Sequence, residues 1–446
     1  MSKGKSLTLL SIISVIIAFV LVMTFISFPV GIYNYNSLLG AVELDYDLEG
    51  GKAYTLTLSE DNEEEVDNID SVIDTLEYRL KELGYGTYSV KALKSTETGV
   101  EDYSIRIETK NTQTLAQDMQ VVVAYGELKF FGGPSAEEAT TEILQDIEVV
   151  ESAKYNGEVT AGAYEINIKF TKKAYDELVK LIDEAEFDYY LKITLGEATD
   201  GQEKVLFQDK IDRSYFKQRQ MPLYSENSAS ARQLALQMQN DGLAYKYDID
   251  DGVVVSSPYG EDAALKCAVA IITLALLLIA LLIIVYKGFG ITVALSSLLF
   301  ILCEGWLLIG IPNIVINLGG VIGIMLAVIL NFVSMIILVD RIKDEFTAGQ
   351  KTVKASINKG FKQALKPTIV LNVVAGIIAL LLFAFTQGLI QSFAITFGIG
   401  AVLSIVSGLL FTRMFNGLIM PLVSDKEKFL GFKRESNTNK TIIEEA

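Results

Sequence analysis

Leu318 to Val339 reads LGGVIGIMLAVILNFVSMIILV, twenty-two residues without a charge, and stops at Asp340-Arg341-Ile342-Lys343-Asp344-Glu345. At about 1.5 Å of rise per residue such a helix is about 33 Å long, enough to cross a hydrocarbon core of roughly 30 Å. A basic segment follows, carrying Arg341, Lys343, Lys351, Lys354, Lys359, Lys362 and Lys366, and a second apolar run opens at Pro367. This pattern predicts a membrane helix, a cytoplasmic elbow and a second membrane helix.

Working outward, apolar runs recur at Leu7 to Phe28, Cys267 to Tyr286, Phe289 to Ile311, Pro367 to Thr386 and Phe393 to about Val423. With the first-quoted run they predict six spans. The first is longer than the roughly 7 to 15 residues of a secretory h-region and leads into Phe28-Pro29-Val30, so it reads as an uncleaved anchor. Lys3, Lys5, Lys287, the elbow and the tail after Lys426 then fall on one side. Their lysines and arginines make that side cytoplasmic, with both termini on it, and place the intervening domain outside.

Composition narrows the chemistry. The chain of 446 residues has no histidine, which excludes imidazole metal sites and histidine acid/base work. Its two cysteines, Cys267 and Cys303, lie inside apolar runs and offer no disulfide framework. Residues 36–263 hold 46 acidic and 21 basic side chains, a net of -25, and the flanks hold 9 and 17, a net of +8, so the acidity behind the overall -17 belongs to the outside domain. An acidic surface of that size argues against nucleic acid, whose phosphates require basic partners.

Within that domain, Tyr54, Leu56 and Leu58 alternate as a strand, and Val66, Ile69, Ile73, Leu76, Leu80 and Leu83 recur at helical spacing. Glu63 to Glu65 sit where the helix dipole favours acids, as a solvated helix start or a partner-binding patch. Strands at Tyr88 to Leu93 and Tyr103 to Ile107, a helix at Leu115 to Ala124 and a strand at Glu127 to Phe131 complete a βαββαβ order, the split βαβ or ferredoxin-like unit. Pro134 to Asn227 reads as a second module. In it Tyr164 to Phe170 is a strand, and Thr171 caps a helix with Tyr175, Leu178, Leu181 and Ile182 inward. Strands at Tyr189 to Leu195 and Val205 to Gln208 follow, and the acids between Asp183 and Asp188 read as a solvated helix end. Ala231 to Met238 and Gly252 to Ser256 return the chain to the membrane and can complete the first module.

The expected division is therefore an anchor at 1–35, a ferredoxin-like base at 36–133, a head module at 134–227, a return at 228–263, a five-helix bundle at 264–425 and a tail at 426–446. The fold class is a membrane α-helical bundle joined to an α+β domain.

Glu304 is the carboxylate placed well inside a span. Acids there are costly, so it is a candidate for proton carriage, for pairing with another subunit, or for a structural or snorkelling role. Asn331, Ser334 and Asn372 can hydrogen-bond between helices, and Gly319 with Gly323 forms a small-xxx-small packing face. Gly288 and Gly290 suit a short hairpin, and Gly398 and Gly400 fall in the last span. Neither pair has the context of a dinucleotide fingerprint, no nucleotide-binding loop is present, and no enzyme, cofactor or metal constellation stands out.

These features together resemble SecD, a family of bacterial protein-export subunits related to RND transporters. Asp47-Leu48-Glu49-Gly50-Gly51 is similar to the family's D-L-R-G-G. Gly319-Gly320-Val321-Ile322-Gly323-Ile324 resembles P-G-I-A-G-I, Asp340-Arg341-Ile342-Lys343-Asp344-Glu345 resembles E-R-I-R-E-E, and Gly360 to Ala364 resembles G-Y-K-R-A. The register holds from Gly319 to Arg413 in the last helix. In that register the family's intramembrane D-A-N places Val333 and Met335 at its Asp and Asn, and D-A-N-x-T-T places Val370 at its Asp while retaining Asn372. Glu49 replaces the family's Arg, and Gly242-Leu243-Ala244-Tyr245 lacks its usual Pro. The resemblance implies a subunit of the cytoplasmic membrane that helps draw unfolded exported polypeptides from a SecYEG-type channel. A SecF-like partner would supply the other six spans and any proton relay; a passive scaffold or holdase near the channel is the other mechanism. An RND-type exporter of small molecules or lipids, or an assembly scaffold, is the alternative class.

Overall fold

The computed structural model describes residues 3–430, apart from 31–32, 36, 60–68, 96–101, 125–127, 146, 161, 186–187, 198–202, 240–242, 244, 312–313 and 349–351. Glu63 to Glu65, Val66, Glu127, Gly242, Ala244 and the far tail lie outside the described residues. The chain forms two compact units, Gly50–Val255 and the two flanks Met1–Glu49 with Ser256–Ala446.

In the first unit Gly51–Leu58 pairs antiparallel with Asp102–Thr109, which pairs antiparallel with Tyr88–Ser95. Alternation places Tyr54, Leu56, Ile105 and Ile107 on one buried face, where Val72, Leu76 and Leu80 of helix Ile69–Glu82 cover them beside Leu115, Met119 and Val122 of helix Leu115–Val122. The inward face of the first helix is rotated from the sequence expectation, so Val72 and Arg79 are buried while Ile73 is partly exposed.

The expected fourth strand is corrected. Leu128–Gly133 pairs instead with Tyr190–Glu197, opposing Phe130 to Ile193 in a different sheet. The other side of Gly51–Leu58 is taken by Tyr247–Ile249 and Val253–Val255 after the chain returns. Alternation specifies which face a strand buries but not which neighbour it pairs with.

The segment between these strands has a four-stranded and a three-stranded sheet, the latter ordered Gln220–Ser225, Ala163–Phe170, Val150–Thr160. They share a core that includes Phe130, Ile166, Ile168, Phe170, Leu178 and Ile193. Thr171 caps helix Lys172–Glu184 as expected, accepting from the Ala174 N–H at 3.3 Å.

Among the described residues the second unit contains five helices long and apolar enough to cross a membrane: Lys3–Thr24, Ala263–Gly310, Leu318–Thr347, Val353–Phe385 and Leu389–Ile419. Ala263–Gly310 is broken at Lys287, where φ is 50° and ψ is -125°. A Cβ on Gly290 would overlap the Leu282 carbonyl, whereas eight residues of straight helix separate such positions by about 12 Å. The chain therefore folds back on itself there.

The elbow also differs from expectation, because the flanking helices run into it. Leu318–Thr347 continues beyond Val339, and Val353–Phe385 passes through Pro367 without stopping. Val353, Ile357, Phe361 and Ala364 pack their helical face on Ile342 and Phe346, burial that offsets the hydrogen bond Pro367 cannot make. The last helix contains a π-helical turn, Ser407–Phe411, before Thr412–Ile419.

Candidate functional site: the polar seam and its end clamp

Three helices of the membrane unit approach closely because glycine removes the side chain at the contacts. A Cβ on Gly319 would overlap the Leu389 carbonyl, and one on Gly323 would overlap Thr396 Oγ1. Thr396 Oγ1 uses the resulting proximity to donate to the Gly320 carbonyl at 2.9 Å. Gly360 lies under Ile342 in the same way, 2.7 Å from its Cα if a Cβ were built. Such approach gives van der Waals contact and interhelical hydrogen bonds their leverage in lipid, where apolar burial between helices gains little.

A seam of small polar side chains runs through this packing. Asn372 Nδ2 donates to Ser334 Oγ at 2.9 Å and to the Thr368 carbonyl at 2.8 Å. Ser404 Oγ donates to Ser334 Oγ at 3.1 Å, and Asn331 Nδ2 donates to Ser297 Oγ at 3.3 Å. Ser407 Oγ at the π-turn donates to the Ser296 carbonyl at 3.2 Å. Asn331 Oδ1 and Asn372 Oδ1 remain buried without a hydrogen-bond partner. The seam joins helices with neutral dipoles and contains no titratable group.

The four positions marked by the sequence pattern diverge here. Asn372 and Met335 are buried in the bundle, Met335 Sδ accepting from Thr412 Oγ1 at 3.2 Å. Val333 and Val370 instead face outward, 37% and 52% exposed. Glu304 belongs to neither group. It is 1% exposed, neither carboxyl oxygen has a hydrogen-bond partner, and a Cβ on Gly400 would come within 2.7 Å of its Oε1.

The opening motif makes a clamp at one end of the helix that decides the fold. Asp47 Oδ2 accepts from the Leu318 N–H at 2.7 Å, satisfying a donor of the first helical turn. Asn317 caps the same end through Gly320 N–H, and Leu44 bridges to Ile316. Ser257 Oγ donates to the Asp47 carbonyl at 2.6 Å. Burial pushes the Asp47 carboxyl up to about 6, against the lowering effect of the Leu318 N–H. Gly50 has a φ of 88°, and a Cβ on Gly51 would overlap the Thr109 carbonyl, which explains the glycine pair.

Farther along the same helix Asp340 accepts from Tyr286 Oη at 3.0 Å and Arg341 lies 4.0 Å from Asp344, and in the last helix Arg413 is exposed. A residue the sequence did not single out is Arg79. Fully buried, its guanidinium donates to the carbonyls of Val122, Ala124, Leu236 and Gln237 at 2.8 to 3.2 Å. No local pattern distinguishes this arginine from the solvated Lys81, because its partners are distant in sequence.

The chain matches known proteins along this frame. The family model described as protein export membrane protein SecD/SecF, C-terminal, matches residues 237–419. Protein translocase subunit SecD of Acidaminococcus fermentans is 24% identical over 423 residues, covering 94% of this chain and 93% of its own. Its counterpart from Dictyoglomus turgidum is 28% identical over 203 residues, 45% of this chain and 50% of its own, and that from Escherichia coli K12 is 29% identical over 197 residues, 43% and 31%. The matched stretch thus spans half the length or less of two of these relatives. A crystal structure of SecDF in a super-membrane-facing form shares the fold, with a TM-score of 0.67 and 19% identity over 93% of this chain and 57% of that one. The chain is a SecD-like, multi-pass membrane protein.

Proposed function

We propose that this SecD-like chain is an accessory subunit of protein translocation, assisting the export of unfolded polypeptides from the outer side of the bacterial cytoplasmic membrane. It acts with a SecF-like membrane subunit beside a SecYEG-type channel. The observation that carries the reading is the match of residues 237–419 to the SecD/SecF C-terminal family.

Six crossings follow from counting the broken helix Ala263–Gly310 twice. A straight rod of 48 residues would reach about 72 Å, more than twice the hydrocarbon thickness, whereas its two parts are each about 35 Å. That count returns Lys3, Lys5, Lys287 and the elbow to one, cytoplasmic side and puts the Gly50–Val255 unit outside. We read the sheet of that unit as ferredoxin-like, with its fourth strand supplied by residues 247–255 and the intervening segment inserted as the head. The antiparallel order of its strands supports this reading.

The bundle works as one half of a pair. Val333 and Val370 hold the relay positions of the family motif and are exposed, and neither side chain nor Met335 can carry a proton. Their outward face is the surface on which a SecF-like half packs, and proton coupling, where it operates, is supplied by that half. Asn372 then serves helix packing, with Asp47, Gly320, Gly323, Asp340, Arg341, Gly360 and Arg413 holding the frame.

Val370→Cys, introduced into a chain with Cys267 and Cys303 replaced by serine, tests the pairing. Oxidative or bifunctional crosslinking in membranes should trap a SecF-like protein at this position. Absence of that adduct, with the same adduct formed instead from lipid-facing positions such as Phe385, would overturn the arrangement.

A further inference from the structure

Glu304 borders a cavity of about 500 Å³ in the membrane unit. Its walls are largely apolar, with Ile271, Leu276, Ile301 and Leu308 among them and Leu44 and Leu48 also lining it. Thr24, also at the wall, already donates to the Val20 carbonyl at 2.8 Å. The carboxyl of Glu304 is thus a buried polar group at the wall with both oxygens lacking a partner, and Gly400 leaves room for it by having no side chain. An unpartnered buried carboxyl costs free energy, and hydrocarbon alone cannot supply the missing hydrogen bond.

We propose that this cavity is a binding site for a lipophilic amine: an amphiphile whose hydrocarbon chain fills the apolar walls and whose nitrogen donates to Glu304. The volume falls in the range of small-molecule sites, about 300 to 1,000 Å³, and the pairing of apolar walls with one polar anchor is the usual design of such sites. An amine meets the carboxyl with a charge-assisted hydrogen bond, which an alcohol supplies only weakly and an alkane not at all. The site does not depend on the export role.

Cys267 lines the same cavity and reports occupancy. In the full chain carrying Cys303→Ser, reconstituted in lipid nanodiscs, alkylation of Cys267 by N-ethylmaleimide is followed with dodecylamine, dodecanol or dodecane added. Dodecylamine should slow the reaction about tenfold, equivalent to about 1.4 kcal/mol, and the other two should have little effect. Glu304→Gln should abolish the protection. Leu276→Trp, which fills the cavity while leaving the carboxyl in place, should abolish it as well and serves if the glutamine variant does not fold. Equal protection by all three chains marks a cavity merely filled by lipid and overturns the proposal. So does an absence of protection by the amine, or protection that survives both substitutions.

Discussion

Arg79 donates to four main-chain carbonyls from two segments distant in sequence, so its loss leaves several buried acceptors without donors at once. Hydrogen bonds from charged groups contribute about 1.5 to 3 kcal/mol each, not additively, and Arg79→Met is expected to destabilise the Gly50–Val255 unit by about 3 to 5 kcal/mol. Arg79→Lys should recover little, because an ammonium cannot reproduce the planar fork. Chemical denaturation of the detergent-solubilised protein, followed through the unit's β-sheet signal, checks both. Asp47 makes a prediction of the opposite character. Its folded value, about 6, lies above the ordinary 3.8, so the fold favours the protonated form. The contribution is fully present below pH 3.8 and is lost as pH rises through about 6. Thermal melts of the wild type should therefore fall relative to Asp47→Asn across that window, by a few degrees at ~1 kcal/mol. Parallel curves would show that Asp47 does not titrate there. Asp47 stood out in the sequence through its glycine-flanked motif, but its partner Leu318, 271 residues away, could be found only by folding the chain.

The helical elements are held by glycine contacts that make opposite predictions at two positions. Gly323→Ala places a methyl on Thr396 Oγ1 and 2.7 Å from the Phe393 carbonyl, forcing the helices apart. A cost of about 1 to 3 kcal/mol from overpacking should exceed the roughly 1 kcal/mol gained in helix propensity. Gly376→Ala has no heavy atom within 4 Å of the new methyl and should be neutral or stabilising. A shared melting temperature for the two variants in detergent would refute the close-approach account. At the hairpin, Lys287→Gly removes a side chain from a left-handed conformation and should raise stability by up to about 1 kcal/mol. Apolar length and small-residue spacing made these helices legible in the sequence. The extension of Val353–Phe385 through Pro367 was not, because proline normally marks a boundary and only packing against Ile342 and Phe346 overrides it. Likewise Leu128–Gly133 was recognisable as a strand, yet its partner was fixed by a tertiary choice.

At the scale of the whole molecule, charge asymmetry and apolar runs made the division into an acidic unit, Gly50–Val255, and a unit of long apolar helices legible in the sequence, together with the resemblance to SecD from Gly319 to Arg413. The outward direction of Val333 and Val370 and the cavity beside Glu304 were hidden, since one-dimensional spacing does not say which face of a helix meets its neighbours. The central claim is that the Gly50–Val255 unit stands outside the cell, where exported chains emerge. Val254 is 77% exposed in that unit and suits a reporter thiol. Val254→Cys, with Cys267 and Cys303 replaced by serine, is treated in intact cells with a membrane-impermeant maleimide. The account predicts labelling equal to that in lysed cells; labelling only after lysis would contradict it.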